Sequence, residues 1–574
     1  RIEGMTVHVL PLESVYNEFS SGTKDLTALR DLSKLFYEKG AGNPALQLKN
    51  ILLMGDASYN YKSNDDFIPT YESIESFDGG ESYNTDDYIT YLDDGEGGQD
   101  ILIHTITNKA DIGVGRIPCK TIAEAFASVD KIIRYKDAVS YRDWRNKITV
   151  VADDADNSTD YIFQTQCDEF ISKRIQDSFP SFNVDKVYLD AFKQESSAGG
   201  SRYPDAQKAL LDKVNQGCLA ITYIGHGGPT NWAQERLFGN SEILALKNID
   251  NLPFFFSFTC DFSPFDDPSF QSAGENLVIN PKGGAVSILS TTRLVYISDN
   301  GQLVQDLFEV FFDKFDGKYQ TLGEIARRAK NQQPRNPNAR KFVLLGDPAL
   351  TLNFPENNIV TTQISGKPIS GNDTLKALQK VTISGEVRDK NNIIMQDFNG
   401  ICYPTIFDKA SIVKTLNNDR QAQEYAFISQ QNTIFKGRAS VVKGKFEYTF
   451  IVPKDIDYNI GFGKMSYYAE NASQGGKIDA SGYNKDFYVG STDENFAIDT
   501  KGPEVKLYMN DANFALGGIT NENPAIFAML SDENGINTVG NGVGHDITAI
   551  IDEKTQNAIS LNNFYESALD DYTK

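Results

Sequence analysis

Two apolar runs decide the fold of this chain: Leu219-Ala-Ile-Thr-Tyr-Ile-Gly-His-Gly-Gly228 and Pro253-Phe-Phe-Phe-Ser-Phe-Thr-Cys-Asp-Phe262. Each run ends abruptly in a reactive side chain, His226 in the first and Cys260 in the second. Runs that stay apolar without alternation are typical of strands covered on both faces, as in the parallel sheet of an α/β domain. Chemistry in such sheets takes place beyond the carboxyl ends of the strands. If the two strands are neighbours, the fold brings an imidazole to a thiol.

The composition of the 574 residues limits the classes of protein that the chain can belong to. The length predicts several domains, and no apolar stretch approaches the roughly 18 residues that a membrane-spanning helix needs. A formal net charge of −23 would repel nucleic-acid phosphates, so we expect no nucleic-acid partner. The five cysteines follow no metal or disulfide spacing, and the four histidines leave few candidates for catalysis. Because the chain begins at Arg1 without a methionine, we expect a processed or excised fragment.

The order of helix and strand signals predicts the domains. Strands alternate with helices over residues 1–140 and again over residues 141–355, so we expect two α/β subdomains with parallel strands, the second carrying the His–Cys pair. Helices are expected over residues 25–38, 161–179, 204–215, 302–315 and 322–330, and one that begins at a capping box of Thr121 and Glu124. Short alternating runs over residues 356–490 predict an immunoglobulin-like β-sandwich. Residues 491–574 are expected to form a linker and the start of a further β module.

Taken singly, each of the two reactive residues has an ordinary structural explanation. His226 could cap or pack an element, and Cys260 could be a small buried apolar side chain, as most free cysteines are. Glycines on both sides of His226 let the chain turn sharply and present backbone N–H groups to a substrate, as an oxyanion hole requires. An imidazole that takes the thiol proton makes sulfur a strong nucleophile. Their positions at two strand ends therefore favour a cysteine nucleophile with a histidine base.

Four segments carry a resemblance to a known family: Asp111-Ile-Gly-Val-Gly-Arg-Ile-Pro118, Ile224-Gly-His-Gly-Gly-Pro-Thr-Asn-Trp-Ala-Gln-Glu-Arg236, Phe256-Ser-Phe-Thr-Cys-Asp-Phe262, and Gly283-Gly284 with Ser290-Thr-Thr-Arg293. They resemble the gingipain family of caspase-fold cysteine peptidases, and within it the sortases of the type IX secretion system. The resemblance covers about residues 1–355. It implies an α/β, caspase/gingipain-like catalytic domain of two subdomains, followed by immunoglobulin-like β-sandwich modules.

The resemblance also implies roles for individual residues. Cys260 would be the nucleophile, and His226 the general base and later the acid for the leaving amine. The backbone N–H groups of Gly227 and Cys260 would hold the oxyanion. The family places an acidic residue near the histidine, at the end of the first strand of the second subdomain. Asp153 is the first candidate for this orienting carboxylate and Asp154 the second, with a merely solvated acidic loop as the alternative.

Substrate contacts are expected at three further positions, Asp160, Tyr296 and Trp232, and Glu235 is a fourth candidate. Asp160 lies in a place loosely similar to the acidic residue with which Arg- or Lys-specific gingipains bind the substrate side chain. Tyr296 is a candidate for lining the same pocket, with a core aromatic as the alternative. Trp232 and Glu235, just after the His226 loop, are either substrate contacts or part of the packing of that loop.

The resemblance implies no required cofactor, although gingipain-like enzymes can carry structural calcium. Acidic residues between Asn84 and Glu96 and between Asp153 and Asp160 offer oxygen ligands, but neither run has EF-hand spacing, and acidic loops are usually just solvated. The same holds for the acidic pair at 266–267. The other histidines are expected to be structural: His8, His104 and His545.

The function that the resemblance implies is that of a cell-surface cysteine endopeptidase acting as a transpeptidase, or sortase. Cys260 would cleave exported proteins before their C-terminal sorting domain, and water or the amine of a surface glycolipid would then release the thioester. The partner that holds the chain peripherally at the bacterial outer membrane would be the β-barrel protein PorV. Two alternatives stay open: a non-catalytic secretion scaffold or adhesin with a vestigial peptidase domain, and a general gingipain-like protease.

Overall fold

The computed structural model divides the chain into two compact units. The first unit comprises residues 1–140, 144–354 and 413–427, and the second comprises residues 141–143, 355–412 and 428–574. His104 and His545 lie outside the described part of the chain. The structure describes residues 4–43, 45–63, 67–74, 80, 82–97, 108–471, 475, 477–494, 501–522, 524–537, 547–552, 554 and 558–574.

An eight-stranded sheet forms the centre of the first unit. Its strands, in chain order, are β1 (Asn50–Met54), β2 (Gly113–Ile117), β3 (Lys147–Ala152), β4 (Asn183–Tyr188), β5 (Ala220–Ile224), β6 (Phe254–Phe258), β7 (Ser287–Thr291) and β8 (Phe342–Leu345). Their order across the sheet is β1-β2-β8-β7-β6-β5-β3-β4. The two predicted α/β segments therefore contribute to one continuous sheet.

The sheet is mixed, whereas the sequence predicted parallel strands throughout. β7 and β8 pair antiparallel, with Ile288 opposite Leu345, and the other neighbouring pairs are parallel. Two helices, Ile297–Val310 and Leu322–Gln332, lie between β7 and β8. A single helix between two strands brings the chain back to the end of the sheet at which the first strand began, so the second strand runs parallel to it. The two packed helices between β7 and β8 leave the chain at the other end of the sheet, so β8 runs antiparallel to β7. The carboxyl ends of β1 and β2 therefore lie at the opposite edge from those of β5 and β6.

Burial on both faces explains the unbroken apolar runs. Phe254, Phe256 and Phe258 of β6 enter one hydrophobic cluster, and Phe255 enters a second. β5 and β6 are buried along their whole length. A strand in this position has no solvent face, so its sequence needs no alternation.

Ten α-helices are described, and five of the six predicted helices begin within one residue of the predicted start. Thr121 and Glu124 form the predicted capping box, and Asp25 caps the helix that follows it. The expected helix over residues 161–179 is interrupted by a π-helical turn, Cys167–Ser172. The helix expected to begin at residue 302 begins at Ile297 instead. The helices are Leu12–Phe19, Leu26–Gly40, Ile122–Tyr135, Ile162–Gln166, Lys173–Ser178, Pro204–Gln216, Asn240–Ala245, Ala273–Ile279, Ile297–Val310 and Leu322–Gln332. None in the described part of the chain is long and apolar enough to cross a membrane.

The second unit is rich in β-strands. Its main sheet follows the order β12-β11-β14-β15-β9-β10-β13, built from β9 (Asn357–Ile364), β10 (Lys380–Arg388), β11 (Gly400–Phe407), β12 (Thr433–Lys436), β13 (Lys445–Ile451), β14 (Lys464–Glu470) and β15 (Asp479–Asn484). Burial alternates along β10, so one of its faces packs on a core and the other does not. Strands Glu504–Met509 and Ile526–Ser531 form a separate antiparallel pair.

Residues 413–427 belong to the first unit although the sequence places them within the β-rich region. The Asp190 carboxylate accepts hydrogen bonds from the backbone N–H groups of Asn417 and Asn418, each at 2.9 Å. Phe427 is buried, with its ring centroid 4.6 Å from that of Tyr188 at the end of β4. The first unit is therefore completed by a segment distant in sequence, which the sequence did not predict.

Candidate functional site

The two reactive residues lie at the same edge of the sheet. β5 and β6 pair in parallel with Ile224 opposite Phe258, and His226 and Cys260 each follow two residues later. The side chain of His226 is 34% exposed, and Cys260 is partly buried. The sequence prediction that the two strands are neighbours is therefore confirmed, and both side chains lie where an open sheet carries its chemistry.

Several contacts fix the imidazole of His226 and its backbone. Ring atom Nε2 lies 3.1 Å from Oδ2 of Asp160, and the ring meets Phe163 edge-on with centroids 5.2 Å apart. The backbone N–H donates to Oδ2 of Asp153 at 2.8 Å, and the carbonyl accepts from the Tyr223 hydroxyl at 2.6 Å. With Nε2 directed to a carboxylate, Nδ1 is the ring nitrogen left to take a thiol proton.

The structure gives Asp153 and Asp160 places that differ from those expected. Asp160, the expected substrate contact, is fully buried and makes the contact to the imidazole ring. Asp153, the first candidate for orienting the ring, holds the backbone of His226 instead. The reason is steric: a Cβ on Gly225 would lie 2.4 Å from Cβ of Asp153, so this side chain packs directly against the backbone before His226. Asp154, the second candidate, accepts from the Tyr203 hydroxyl at 2.8 Å.

The thiol of Cys260 is held by the backbone of Val295. Sγ accepts from the Val295 N–H at 3.4 Å and lies 3.7 Å from its carbonyl oxygen. Burial is the main cause that raises the pKa of this thiol, and the neighbouring Asp261 carboxylate adds to the effect. Among the described residues, no hydrogen bond joins Sγ to the His226 ring. The raised pKa and the contact with Val295 both favour the neutral thiol over the thiolate in this arrangement.

Gly227 lies between the two strand ends. A Cβ at this position would come within 2.5 Å of the Thr259 hydroxyl, one residue before Cys260. Only glycine therefore allows the backbone after His226 to pass this close to the end of β6. This close approach is compatible with the predicted role of the Gly227 N–H in holding the oxyanion. That role stays a prediction.

The other two expected substrate contacts have different environments. Trp232 is fully buried, donates from Nε1 to the Ser257 hydroxyl at 2.8 Å and stacks on Tyr223 with centroids 4.4 Å apart. It packs the loop and presents no surface to a substrate, which corrects the expected contact. Tyr296 is 48% exposed and directly follows Val295, the residue that holds the thiol. Its predicted place in a substrate pocket is compatible with this exposure and stays a prediction.

Three buried carboxylates lie beneath the His226 loop. One oxygen from each of Asp153, Asp154 and Glu235 lies within 4.8 Å of the other two. Burial raises the pKa of Asp153 to about 6, of Asp154 to about 10 and of Glu235 to about 7, and repulsion between carboxylates adds to each shift. These three residues could hold a cation.

From the sequence, Glu235 was a candidate either for a substrate contact or for packing of the His226 loop. Its side chain is buried because the loop backbone is unusual, with φ of 59° at Ala233 and 55° at Arg236. Residues other than glycine seldom adopt these angles. No pattern in Ala-Gln-Glu-Arg predicts these positive φ angles, so the burial of Glu235 could not be predicted from the sequence.

Two other acidic groups named from the sequence differ in environment. Asp266 forms an ion pair with Arg293, so the guanidinium compensates its negative charge. Asp93, Glu96 and Asp111 also offer oxygens within 4.8 Å of one another, but this group is partly exposed. His8, expected to be structural, stacks on Phe36 with ring centroids 6.0 Å apart.

Comparison with known proteins relates this site to a peptidase family. A family model described as Peptidase family C25 matches residues 1–353. The chain is similar to dimeric latent PorU from Porphyromonas gingivalis at 26% identity, covering 98% of this chain and 48% of that one with a TM-score of 0.37. It is similar to the Arg-specific cysteine proteinase gingipain R at 17% identity, covering 82% and 90% of the two chains with a TM-score of 0.45. The chain thus spans about half the length of the PorU chain. A comparison with curated proteins finds no match.

Proposed function

Because the chain belongs to peptidase family C25, we propose that it is a cysteine endopeptidase that acts as a sortase on exported proteins. The observation that carries the proposal is the placement of Cys260 and His226 at equivalent ends of two adjacent parallel strands. A vestigial scaffold would have no need to keep a thiol and an imidazole at this edge. The sortase part rests on the resemblance of the site motifs to the sortases of type IX secretion.

The geometry supports a defined sequence of steps. Nδ1 of His226 takes the Cys260 proton, and the thiolate attacks the carbonyl carbon of the scissile peptide. The backbone N–H groups of Gly227 and Cys260 stabilise the resulting oxyanion. The imidazolium, whose Nε2–H donates to Asp160, then gives the proton to the leaving amine, and a thioester forms. Water or a primary amine attacks the thioester, passes a proton to His226 and frees the thiol.

We further propose that the arrangement described here is a resting form. Cys260 donates to and accepts from the Val295 backbone, so the proton transfer to His226 requires the thiol to turn away from this residue. The segment after β7 would have to shift when substrate or an activating partner binds. PorU is likewise described as latent, but for this chain the Cys260–Val295 contact alone supports the proposal.

The remaining parts of the proposal concern the surroundings of the enzyme. The cargo would be exported proteins with a C-terminal sorting domain, and the acceptor would be a surface glycolipid. The chain would be held at the outer membrane of a bacterium by a β-barrel protein, PorV. These proposals follow from the resemblance to type IX sortases.

The test is Cys260→Ala, assayed with a purified cargo protein that ends in a sorting domain. We expect the variant to release no sorting domain while its melting temperature stays within about 2 °C of wild type, because the change is small and lies at a strand end. Mass spectrometry of the wild-type product, with and without a primary amine, distinguishes transfer from hydrolysis. Cleavage by the variant would contradict the peptidase mechanism. Equal cleavage of unrelated proteins by wild type would instead support a general protease.

A further inference from the structure

Asp261 directly follows Cys260, at a sharp turn of the chain. Its φ is 50°, in the left-handed region that Asp and Asn adopt more readily than most residues with a side chain. The next residue, Phe262, is fully buried, whereas Asp261 stays partly exposed. The Asp261 N–H donates to the Arg293 carbonyl at 3.3 Å, which fixes the turn. A carboxylate is therefore held at the rim of the site, one residue from the reacting sulfur.

The Asp261 carboxylate has no hydrogen-bond or ion-pair partner within the described part of the chain. Two cations act on it, Arg293 and Lys341, but both are bound elsewhere. Arg293 pairs with Asp266, and the Lys341 ammonium donates to two backbone carbonyl groups. The Asp261 carboxylate thus keeps its capacity to accept hydrogen bonds from a ligand.

The negative charge of Asp261 opposes the first step of the proposed reaction. It adds to the burial that raises the pKa of the Cys260 thiol, so it disfavours the thiolate. The same charge would favour a later step in which a cation comes to the thioester. A primary amine is such a cation, because ammonium groups of the lysine type lose their proton only near about pH 10.

We propose that Asp261 binds the ammonium group of the acceptor and holds it beside the thioester on Cys260, so that transfer can compete with hydrolysis. The inference rests on the proposed transpeptidase function and names the residue that would receive the acceptor. The carboxylate accepts a charge-assisted hydrogen bond from the ammonium, whereas water gains no such attraction.

The transfer step then proceeds from the bound ammonium. The nitrogen first loses one proton to solvent. The amine nitrogen forms a bond to the carbonyl carbon of the thioester, and the bond from this carbon to sulfur breaks. A second proton passes from the nitrogen through His226 to the sulfur, which leaves an amide and a neutral thiol.

A direct test compares two thiol reagents of similar size on Cys260: aminoethyl methanethiosulfonate, which carries an ammonium group, and its neutral propyl analogue. Both react with the thiolate to form a disulfide and release methanesulfinate, so the ratio of the two rates does not depend on the pKa of the thiol. The other four cysteines are buried, and peptide mass mapping identifies the modified one.

We expect Asp261→Asn to lower the ratio of the cationic to the neutral rate about three- to fivefold, because Asn tolerates the same turn and removes only the charge. Added salt should reduce the difference between the variant and wild type. The matched control is Asp267→Asn, since the Asp267 carboxylate already accepts from the N–H and the hydroxyl of Ser269. It should keep the wild-type ratio. An unchanged ratio in Asp261→Asn, or the same drop in Asp267→Asn, would overturn the proposal.

The transfer itself is tested with a purified cargo protein and two nucleophiles, ethanolamine, which is a cation at neutral pH, and hydroxylamine, which is not. We expect Asp261→Asn to lower the ratio of transfer to hydrolysis about three- to fivefold with ethanolamine and by less than about twofold with hydroxylamine. An equal drop with both nucleophiles would mean that Asp261 only positions the thioester, and would overturn the proposal. Wild type that released no sorting domain would refute the proposed function, and the reagent rates would then still decide whether Asp261 binds an ammonium group.

Discussion

At the scale of single residues, Asp160 has the environment of a group that orients an imidazole. It is fully buried, and Oδ2 meets both the His226 ring and the side chain of Asn157, the latter at 2.7 Å. A carboxylate in this position fixes the ring orientation and stabilises the imidazolium that forms when the thiol loses its proton. A role in binding the substrate would instead require exposure, which Asp160 lacks.

Asp160→Asn therefore tests the assignment directly. We expect kcat for cleavage to fall at least about tenfold, with KM changed much less, because an amide stabilises the imidazolium poorly. The control is Asp156→Asn, which alters a nearby, less buried acid. If Asp160 bound a basic substrate side chain, KM would rise selectively for substrates with arginine or lysine before the cleaved bond. That result would restore the role expected from the sequence.

The sequence predicted that His226 and Cys260 lie together at the ends of two neighbouring strands, because each closely follows an apolar strand. It did not predict which acid meets the ring, because Asp153, Asp154 and Asp160 follow the same strand within a few residues. The choice depends on the direction in which each side chain leaves the loop. Close packing of Asp153 against Gly225 settles that direction, and it arises only in the folded chain.

At the scale of elements, the helix Ala273–Ile279 begins with a capping box whose acid is buried. Oε2 of Glu275 accepts from the Ser272 hydroxyl at 2.6 Å and from its N–H at 2.8 Å, whereas Oε1 has no partner in the described chain. Burial, with the Asp56 carboxylate adding to it, raises the pKa of Glu275 to about 8. The folded state thus holds a proton on this acid that the unfolded state releases near pH 4.

The sign of the pH effect follows from these two pKa values. Between about pH 4 and 8 the folded state binds more protons at Glu275 than the unfolded state does, so this group makes stability fall as pH rises. Glu275→Gln keeps an acceptor for Ser272 and has nothing to titrate. We expect its melting temperature, relative to wild type, to be higher at pH 8 than at pH 5, with each pKa unit worth about 1.4 kcal/mol.

The matched control is Glu242→Gln, because Glu242 likewise accepts from the backbone N–H of its helix's N-cap residue, Gly239, but is less buried. Thermal unfolding of the two variants and wild type at both pH values gives the comparison. A difference between Glu275→Gln and wild type that is the same at pH 5 and pH 8 would show that Glu275 does not titrate as described.

The sequence predicted the residues at which helices begin, but it did not predict which helix faces stay exposed to solvent. The capping box of Thr121 and Glu124 depends on neighbouring residues alone and forms as predicted. The apolar face expected at the start of the same helix stays outside the core: Ile122 is 78% exposed and Phe126 is 69% exposed. Burial of a helix face depends on which element packs against it. The antiparallel direction of β8 was not predicted for a similar reason, since the periodicity of apolar residues does not indicate the direction in which a strand runs.

At the scale of the whole molecule, Asp190 connects two distant parts of the first unit. It is buried, and besides the two backbone N–H groups it accepts from Nδ2 of Asn418 at 2.9 Å. Asp190→Ala removes all three of these hydrogen bonds. We expect a loss of about 1–3 kcal/mol in stability and faster cleavage between residues 413 and 427 in limited proteolysis, because the segment loses its main polar anchor.

Glu195→Ala, in the exposed hairpin formed by residues 195–202, serves as the control for Asp190→Ala. Its cleavage pattern should match wild type. An unchanged rate of cleavage in Asp190→Ala would mean that Phe427 and the other apolar contacts hold the segment without help. This arrangement could not be predicted, because residues 413–427 lie among β-strand patterns and no feature of them indicates which unit they join.

The return of residues 413–427 to the first unit also sets an order of events during synthesis. Domains usually fold as they emerge, starting from the amino terminus. Here the front unit has all eight strands of its sheet once residue 345 has appeared, yet Asp190 and Tyr188 stay uncovered until residue 427 follows. A chain that emerges from a ribosome therefore begins its second unit before it can finish its first.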